Sequence, residues 1–200
     1  MESGCRGSTV CPTVVGMRIG PLLLAVGVLL ALAGCVPSTP HATAAPSASA
    51  TPVFASDAEA LAAAEKAYAA YEAVVDSSLQ SASDTGLAAV ASGSALTSAI
   101  ESVDSFKKAG QFQRGESLVT RVTGADLSTL TMSADSAGPA QIYACLDVSG
   151  VTVVDSAGNV VSGSNRQTLF PTLVSLEWKA SSRDLLVSEE AVWDGANFCS

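Results

Sequence analysis

The side chains that most enzymes use for acid–base chemistry are scarce in this 200-residue chain. Its one histidine, His41, lies in a segment rich in Pro, Ser, Thr and Ala, where a solvated position is the ordinary role. Ser–His–Asp and Cys–His catalysis both need an imidazole base, and zinc sites usually need imidazole or closely spaced thiolates. No Gly-rich phosphate loop follows a predicted strand. The sequence therefore predicts no metal site, no cofactor and no histidine-dependent reaction in the folded part of the chain.

Carboxylates and tyrosines remain as candidate reactive groups. An isomerase-like site would place a buried Asp beside Tyr donors, and Asp147 with Tyr143 is the nearest match by spacing. Strand alternation argues against this pair, because Ile142 and Ala144 face the core and the intervening residues then face outward. We therefore expect Tyr143 and Asp147 on a solvated face.

Four aromatic residues are candidates for lining a ligand pocket. Tyr68 and Tyr71 are three residues apart in a predicted helix, and Trp178 and Trp193 belong to the last predicted strands. The chain has only five Phe, three Tyr and two Trp, so a domain of this size needs most of them for its core. Packing is the favoured role for each of the four.

The N-terminal segment has the features of a signal peptide and a lipid anchor. Residues 19–33 are uncharged and mostly apolar, follow Arg18, and are too few to span a bilayer comfortably. Such a run is typical of a signal-peptide core. It ends in Leu-Ala-Gly-Cys at 32–35, which resembles a bacterial lipobox, in which the cysteine receives the lipid. We predict a signal peptide over 1–34 and lipidation of Cys35.

Two features of the mature chain follow from this processing. A start at Met17 would give a compact signal segment, and Cys5 and Cys11 are removed with either start. Residues 35–54 then form a linker of Pro, Ala, Ser and Thr that cannot build a core. A linker of this length reaches on the order of 25 to 60 Å. The folded domain, predicted over 55–200, is thus tethered to the outer face of the cell membrane.

The two remaining cysteines predict a disulfide. Besides the lipidated residue, only Cys145 and Cys199 persist after processing, and the compartment outside the membrane is oxidising. Closing a loop of about 55 residues contributes on the order of 4 kcal/mol in the chain-entropy model. The bond would hold a C-terminal tail that otherwise frays. The alternative is two unpaired buried thiols.

Periodicity predicts helices first and strands afterwards. Ser56 and Glu59 have capping-box spacing, and Leu61, Ala64, Tyr68, Tyr71, Val75 and Leu79 form one apolar stripe, with Glu72 and Asp76 off it. A second helical run ends near Gly110, and the period then changes to two. Predicted strands cover 117–124, 128–134, 141–149, 151–155, 159–161, 167–179 and 185–193, with Pro171 at an edge or bulge. This order indicates an α+β fold with N-terminal helices on an antiparallel sheet.

Two phrases in the strand-rich part carry a family resemblance. Tyr-Ala-Cys-Leu-Asp-Val-Ser-Gly-Val at 143–151 and Val-Trp-Asp-Gly-Ala-Asn-Phe-Cys at 192–199 resemble actinobacterial lipoproteins, the lipoproteins of high-GC Gram-positive bacteria. Their domain is similar to the nuclear transport factor two-like fold, and the resemblance covers about residues 57–200. It implies a curved antiparallel sheet wrapped against helices into a cone with an internal cavity. It implies little about activity, since that fold carries isomerases, dehydratases, transport factors and noncatalytic modules alike.

Charge and composition narrow the partners. Ten basic and nineteen acidic residues give a net charge of −9. Nucleic acid and anionic lipid surfaces attract clustered Lys and Arg, so neither is expected as an electrostatic partner. We favour a noncatalytic, lipid-anchored, extracytoplasmic module that binds a small apolar ligand or an envelope protein. The alternative is a small-pocket enzyme, isomerase-like or dehydratase-like, using Asp and Tyr chemistry. A core-facing carboxyl with a raised pKa would favour the enzyme.

Replacing Cys35 tests the anchor. Two acyl chains hold a protein on a membrane stably, whereas an unlipidated tether does not. We expect Cys35→Ala to release the protein into the medium or to leave an uncleaved precursor, measured by fractionation and intact mass. A processed, lipid-free form that stays on the membrane would contradict lipidation.

Overall fold

The computed structural model describes residues 52–132 and 138–199. In this part of the chain three helices come first: α1 (Asp57–Ser81), α2 (Leu87–Val90) and α3 (Gly93–Ala109). Six strands follow: β1 (Gln111–Arg114), β2 (Leu118–Asp126), β3 (Ala140–Asp147), β4 (Thr152–Asp155), β5 (Leu169–Lys179) and β6 (Asp184–Val192). The fold is α+β, as the sequence predicts. The predicted signal peptide, Cys35 and nearly all of the linker lie outside the described residues.

Helix α1 begins at the predicted capping residue. The Ser56 hydroxyl accepts the Glu59 N–H at 3.2 Å, and the Glu59 carboxylate accepts the Ala55 N–H at 3.0 Å. These two bonds satisfy amides that the helix itself leaves unpaired. Helix α3 ends as predicted at Gly110, whose φ of 61° is the left-handed conformation that terminates helices.

The strands form a four-stranded antiparallel sheet in the order β2-β3-β5-β6 and a separate pair, β1-β4. Register shifts interrupt β2–β3 at two places and β5–β6 at one. Such bulges bend strands and increase their twist. Two predicted strands are wrong: the described part of 128–134 is turn, and 159–161 contributes one bridge, Val154 to Val160. Strand β4 pairs instead with β1, which follows directly after α3.

Pro171 lies in the interior strand β5 and not at a sheet edge, which corrects the expected edge position. It sits opposite Cys145 in β3, and its carbonyl accepts the Trp193 N–H at 2.7 Å. In an antiparallel ladder the N–H and C=O of one residue face the same neighbouring strand. The N–H that proline lacks would therefore face the chain just beyond the end of β6, where little pairing is lost.

The main core lies between α1 and one face of the four-stranded sheet. Helix residues Ala60, Ala64 and Tyr68 pack there against sheet residues that include Ile142 and Val174, all of them fully buried. Alanine on the helix lets the backbone approach the sheet closely, and the larger sheet side chains fill the space between them. A second, smaller cluster joins the three helices through Leu79, Leu87, Ala99 and Val103.

Gly115 lies in the turn between β1 and β2, where the backbone at Gly150 packs closely against it. Its φ is 83°, and a Cβ there would lie 2.1 Å from the Gly150 carbonyl oxygen. Gly158 has a similar φ of 87° but open space around it. Left-handed φ alone costs an L residue about 1 to 2 kcal/mol. We expect Gly158→Ala to lower the free energy of unfolding by about 1 kcal/mol and Gly115→Ala by about 3 kcal/mol or more. Equal losses in urea unfolding would contradict the clash.

Candidate functional site

Tyr68 and Tyr71 lie together in the core beneath α1. Their rings are stacked with centroids 6.3 Å apart. The Tyr68 hydroxyl donates to a Glu190 carboxylate oxygen at 2.5 Å and lies 3.4 Å from the Thr172 hydroxyl oxygen. Burial, followed by the charges of nearby glutamates, raises the pKa of both phenols. The two tyrosines therefore pack inside the domain, with the Tyr68 hydroxyl hydrogen-bonded, and line none of the pockets described below.

Two carboxyl residues of α1 that the apolar stripe excludes are buried. Glu72 is 5% exposed and Asp76 is 4% exposed. Both residues therefore belong to the buried face of α1. The signal was present in the sequence, because Ala64, Tyr68, Glu72 and Asp76 are each four residues apart. Acidic residues rarely face a core unless they are paired. The prediction that Glu72 and Asp76 lie off the buried stripe is therefore wrong.

Glu72 shares its surroundings with a second carboxyl group. Burial raises the pKa of Glu72 well above its ordinary value, and the charge of Glu190 and a hydrogen bond with it raise it further. Two carboxylates in contact cannot both ionise easily in a low-dielectric site. Glu72 is thus the core-facing, high-pKa carboxyl that would favour an enzyme, and it is a residue that the sequence analysis missed.

Asp76 has a different role, because its oxygens are occupied by hydrogen-bond donors. They accept the Ser117 N–H at 2.6 Å, the Ser117 hydroxyl at 2.9 Å and the Gln113 side-chain amide at 2.5 Å. These bonds tie β1 and the turn that follows it to α1. Glu72, Asp76, Glu116 and Ser117 also line a cleft of about 550 Å³ between α1 and β2 that has both polar and apolar walls.

Trp178 lines a separate, mostly apolar pocket of about 310 Å³. Its ring meets that of Phe54 edge-on, with centroids 5.8 Å apart. Helix α1 supplies three alanines to the wall, and Lys66, Arg183 and Asp184 lie among the lining residues. The pocket is bounded by these residues: Phe54, Ala63, Lys66, Ala67, Ala70, Ala89, Val90, Trp178, Arg183, Asp184 and Leu185.

Trp193 belongs to another region, beside the predicted disulfide. The Cys145 and Cys199 sulfurs are 2.04 Å apart, a disulfide-bonding distance that confirms the predicted pair. Tyr143 meets the rings of Trp193 and Phe198 edge-on, with centroids 5.1 and 5.5 Å away. As predicted, Tyr143 points away from the core. The C-terminal tail thus lies on the outer side of β3.

The four aromatic candidates therefore do not line one common pocket. Tyr68 and Tyr71 are core residues, Trp178 lines the apolar pocket, and Trp193 lines another pocket, of about 370 Å³, with Arg121, Thr123, Tyr143 and Phe198. Within residues 52–132 and 138–199, no group of three or more His, Cys, Asp or Glu is arranged to hold a metal ion. No helix in that same part of the chain is long and apolar enough to cross a membrane.

No protein-family model matches this chain, and no curated protein matches it. Among solved structures, the chain is similar to the intermembrane space region of the chloroplast protein ARC6. The similarity has a TM-score of 0.48 at 12% sequence identity, and it covers 66% of this chain and 95% of that one.

The buried Glu72 carboxyl predicts a pH-dependent stability. Its pKa is raised in the folded state, so the neutral form is favoured there, and folding loses free energy as pH rises above the ordinary value of 4.5. We expect Glu72→Gln to match the wild type near pH 4 and to become progressively more stable than it toward pH 8.

Urea unfolding across this pH range measures the effect. Glu65→Gln, an exposed position on the same helix, is the matched control and should follow the wild-type pH profile. Parallel profiles for Glu72→Gln and the wild type would show that Glu72 ionises as easily in the folded chain as in the unfolded one.

Proposed function

We propose that this chain is a lipid-anchored, extracytoplasmic binding module that holds a small apolar ligand in the Phe54–Trp178 pocket. The pocket is the observation that carries the proposal, since it is concave, mostly apolar and bordered by a few charged groups, as small-molecule sites commonly are. The lipobox-like Cys35 and the linker supply the anchor in this proposal. We also propose kinship with the actinobacterial lipoproteins of nuclear transport factor two-like architecture.

The pocket exists because one side of α1 carries small residues. Ala63, Ala67 and Ala70 follow each other at helical spacing and face the Trp178 region. Leucine at these positions would fill the space, whereas alanine leaves it open. The pocket borders the core between α1 and the sheet: Leu185 belongs to that core, and Phe54 and Trp178 pack against it.

A small-pocket enzyme is the second candidate, and Glu72 is the observation that favours it. Burial raises the pKa of this carboxyl, and Glu72 lines a cleft, which are two properties expected of a general acid. Its neighbours argue for a structural role. Tyr68 donates to Glu190, and Asp76 accepts one hydrogen bond from Gln113 in β1 and two from Ser117, so both side chains are engaged in structural hydrogen bonds. We therefore favour binding without catalysis.

In a scaffolding role, the pocket would be occupied by part of an envelope protein. An apolar side chain of such a partner would enter the same pocket that a small molecule uses. The net charge of −9 favours a partner surface that is not itself strongly acidic.

Filling the pocket tests the proposal. In a Trp193→Phe background of the purified full chain, Trp178 is the sole indole, so its emission reports on the pocket. We expect 1-octanol to change this emission saturably, because transfer of its chain removes apolar surface from water. Ala67→Leu, which adds volume inside the pocket, should abolish the saturable response.

Ala62→Leu is the matched control, since Ala62 is exposed on the same helix and does not line the pocket. It should leave the 1-octanol response unchanged, and circular dichroism should show both variants folded. A response that does not saturate, or that Ala67→Leu leaves intact, would overturn the assignment of the pocket.

A further inference from the structure

We propose that the Phe54–Trp178 pocket is selective for small amphipathic anions, whose apolar body fills the pocket while Lys66 and Arg183 contact a negatively charged head group. This inference rests on the proposed function and names the chemical class of its ligand. It assigns a binding role to two exposed cations.

The first argument is the placement of charge. The chain carries only ten Lys and Arg and has a net charge of −9, yet two of these cations lie at one pocket. Lys66 comes from α1 and Arg183 from the turn between β5 and β6, so two separate elements bring a cation to the pocket. Asp184 is the one carboxylate among the lining residues. Two cations against one carboxylate leave a local positive excess on an acidic protein, which attracts anions there.

The second argument is the backbone of Arg183. Its φ is 60°, and among the described residues only Ala82 shares a positive φ without being glycine. Its N–H closes the β5–β6 turn on the Lys179 carbonyl oxygen at 2.8 Å. Glycine would adopt this conformation without the cost of about 1 to 2 kcal/mol that an L side chain incurs. Strained positions of this kind cluster at ligand clamps, and here the strained residue lines the pocket.

The third argument is size. A volume of about 310 Å³ holds roughly ten water-sized groups. The Trp178 and Phe54 rings and the α1 alanines surround that space with carbon, so the body of the ligand is apolar. A chain of about eight carbons with one terminal charge satisfies both the volume and the charged lining.

Octanoate and 1-octanol test the charge requirement, because they differ only in the head group. In the Trp193→Phe full chain we expect octanoate to bind about tenfold more tightly than 1-octanol, as two partly exposed ion pairs would give. High salt should reduce the preference, since exposed charges are screened. Asp184→Asn should tighten octanoate binding and leave 1-octanol binding unchanged.

Arg183→Gly separates recognition from folding. It removes the cation and relieves the strained φ, so the variant should unfold at a higher temperature while it loses most of the preference for octanoate. Ala82→Gly is the matched control, since it relieves the other strained φ and lies outside the pocket. That control should gain stability and keep the preference. Lys66→Gln should weaken octanoate binding without affecting 1-octanol.

The outcomes distinguish this inference from the proposed function. Equal binding of octanoate and 1-octanol would overturn the anion selectivity and leave the apolar pocket in place. Binding of neither would overturn both. A preference for octanoate that survives in Arg183→Gly and in Lys66→Gln would show that the head group is recognised elsewhere, which also overturns the inference.

Discussion

The burial of two acidic residues on the inner side of α1 is the constraint on which the rest of the structure depends. A carboxyl group taken out of water needs hydrogen-bond donors or a proton. Strand β6 supplies Glu190 as the partner of Glu72 and Tyr68. Gln113 in β1 supplies one donor to Asp76, and Ser117 in the turn after β1 supplies two. These contacts fix both the rotation of α1 and its position along the sheet, which apolar packing alone would leave less specific.

With α1 in this rotation, its other residues contact different parts of the molecule. Ala60, Ala64 and Tyr68 contact the sheet. Ala63, Ala67 and Ala70 border the Phe54–Trp178 pocket. Because α1 carries both these alanines and Glu72, a rotation of the helix would displace them together. The buried network and the pocket are therefore positioned by one element, although they share no residue.

The far side of the sheet is organised independently of α1. The Cys145–Cys199 pair and the rings around Tyr143 hold the C-terminal tail against β3. Arg121 adds a hydrogen bond to the Phe198 carbonyl oxygen at 2.6 Å. The tail thus covers the outer face of β3, away from the pocket that contains Trp178. Because of this separation, Trp178 in β5 and Trp193 just after β6 line different pockets.

The sequence by itself determined the features that depend on near neighbours: the start of α1 at Ser56, the end of α3 at Gly110, the change from helix to strand, and the outward direction of Tyr143. It also predicted the cysteine pair, because Cys145 and Cys199 are the two cysteines that the predicted processing leaves unmodified. Only the tertiary structure decided that Glu72 and Asp76 are buried and where each aromatic residue lies. The Tyr68–Glu190 bond spans 122 residues and the Ser117–Asp76 bonds span 41. Helical periodicity shows which residues share a face, but a distant chain segment must arrive before a charged residue on that face can be buried.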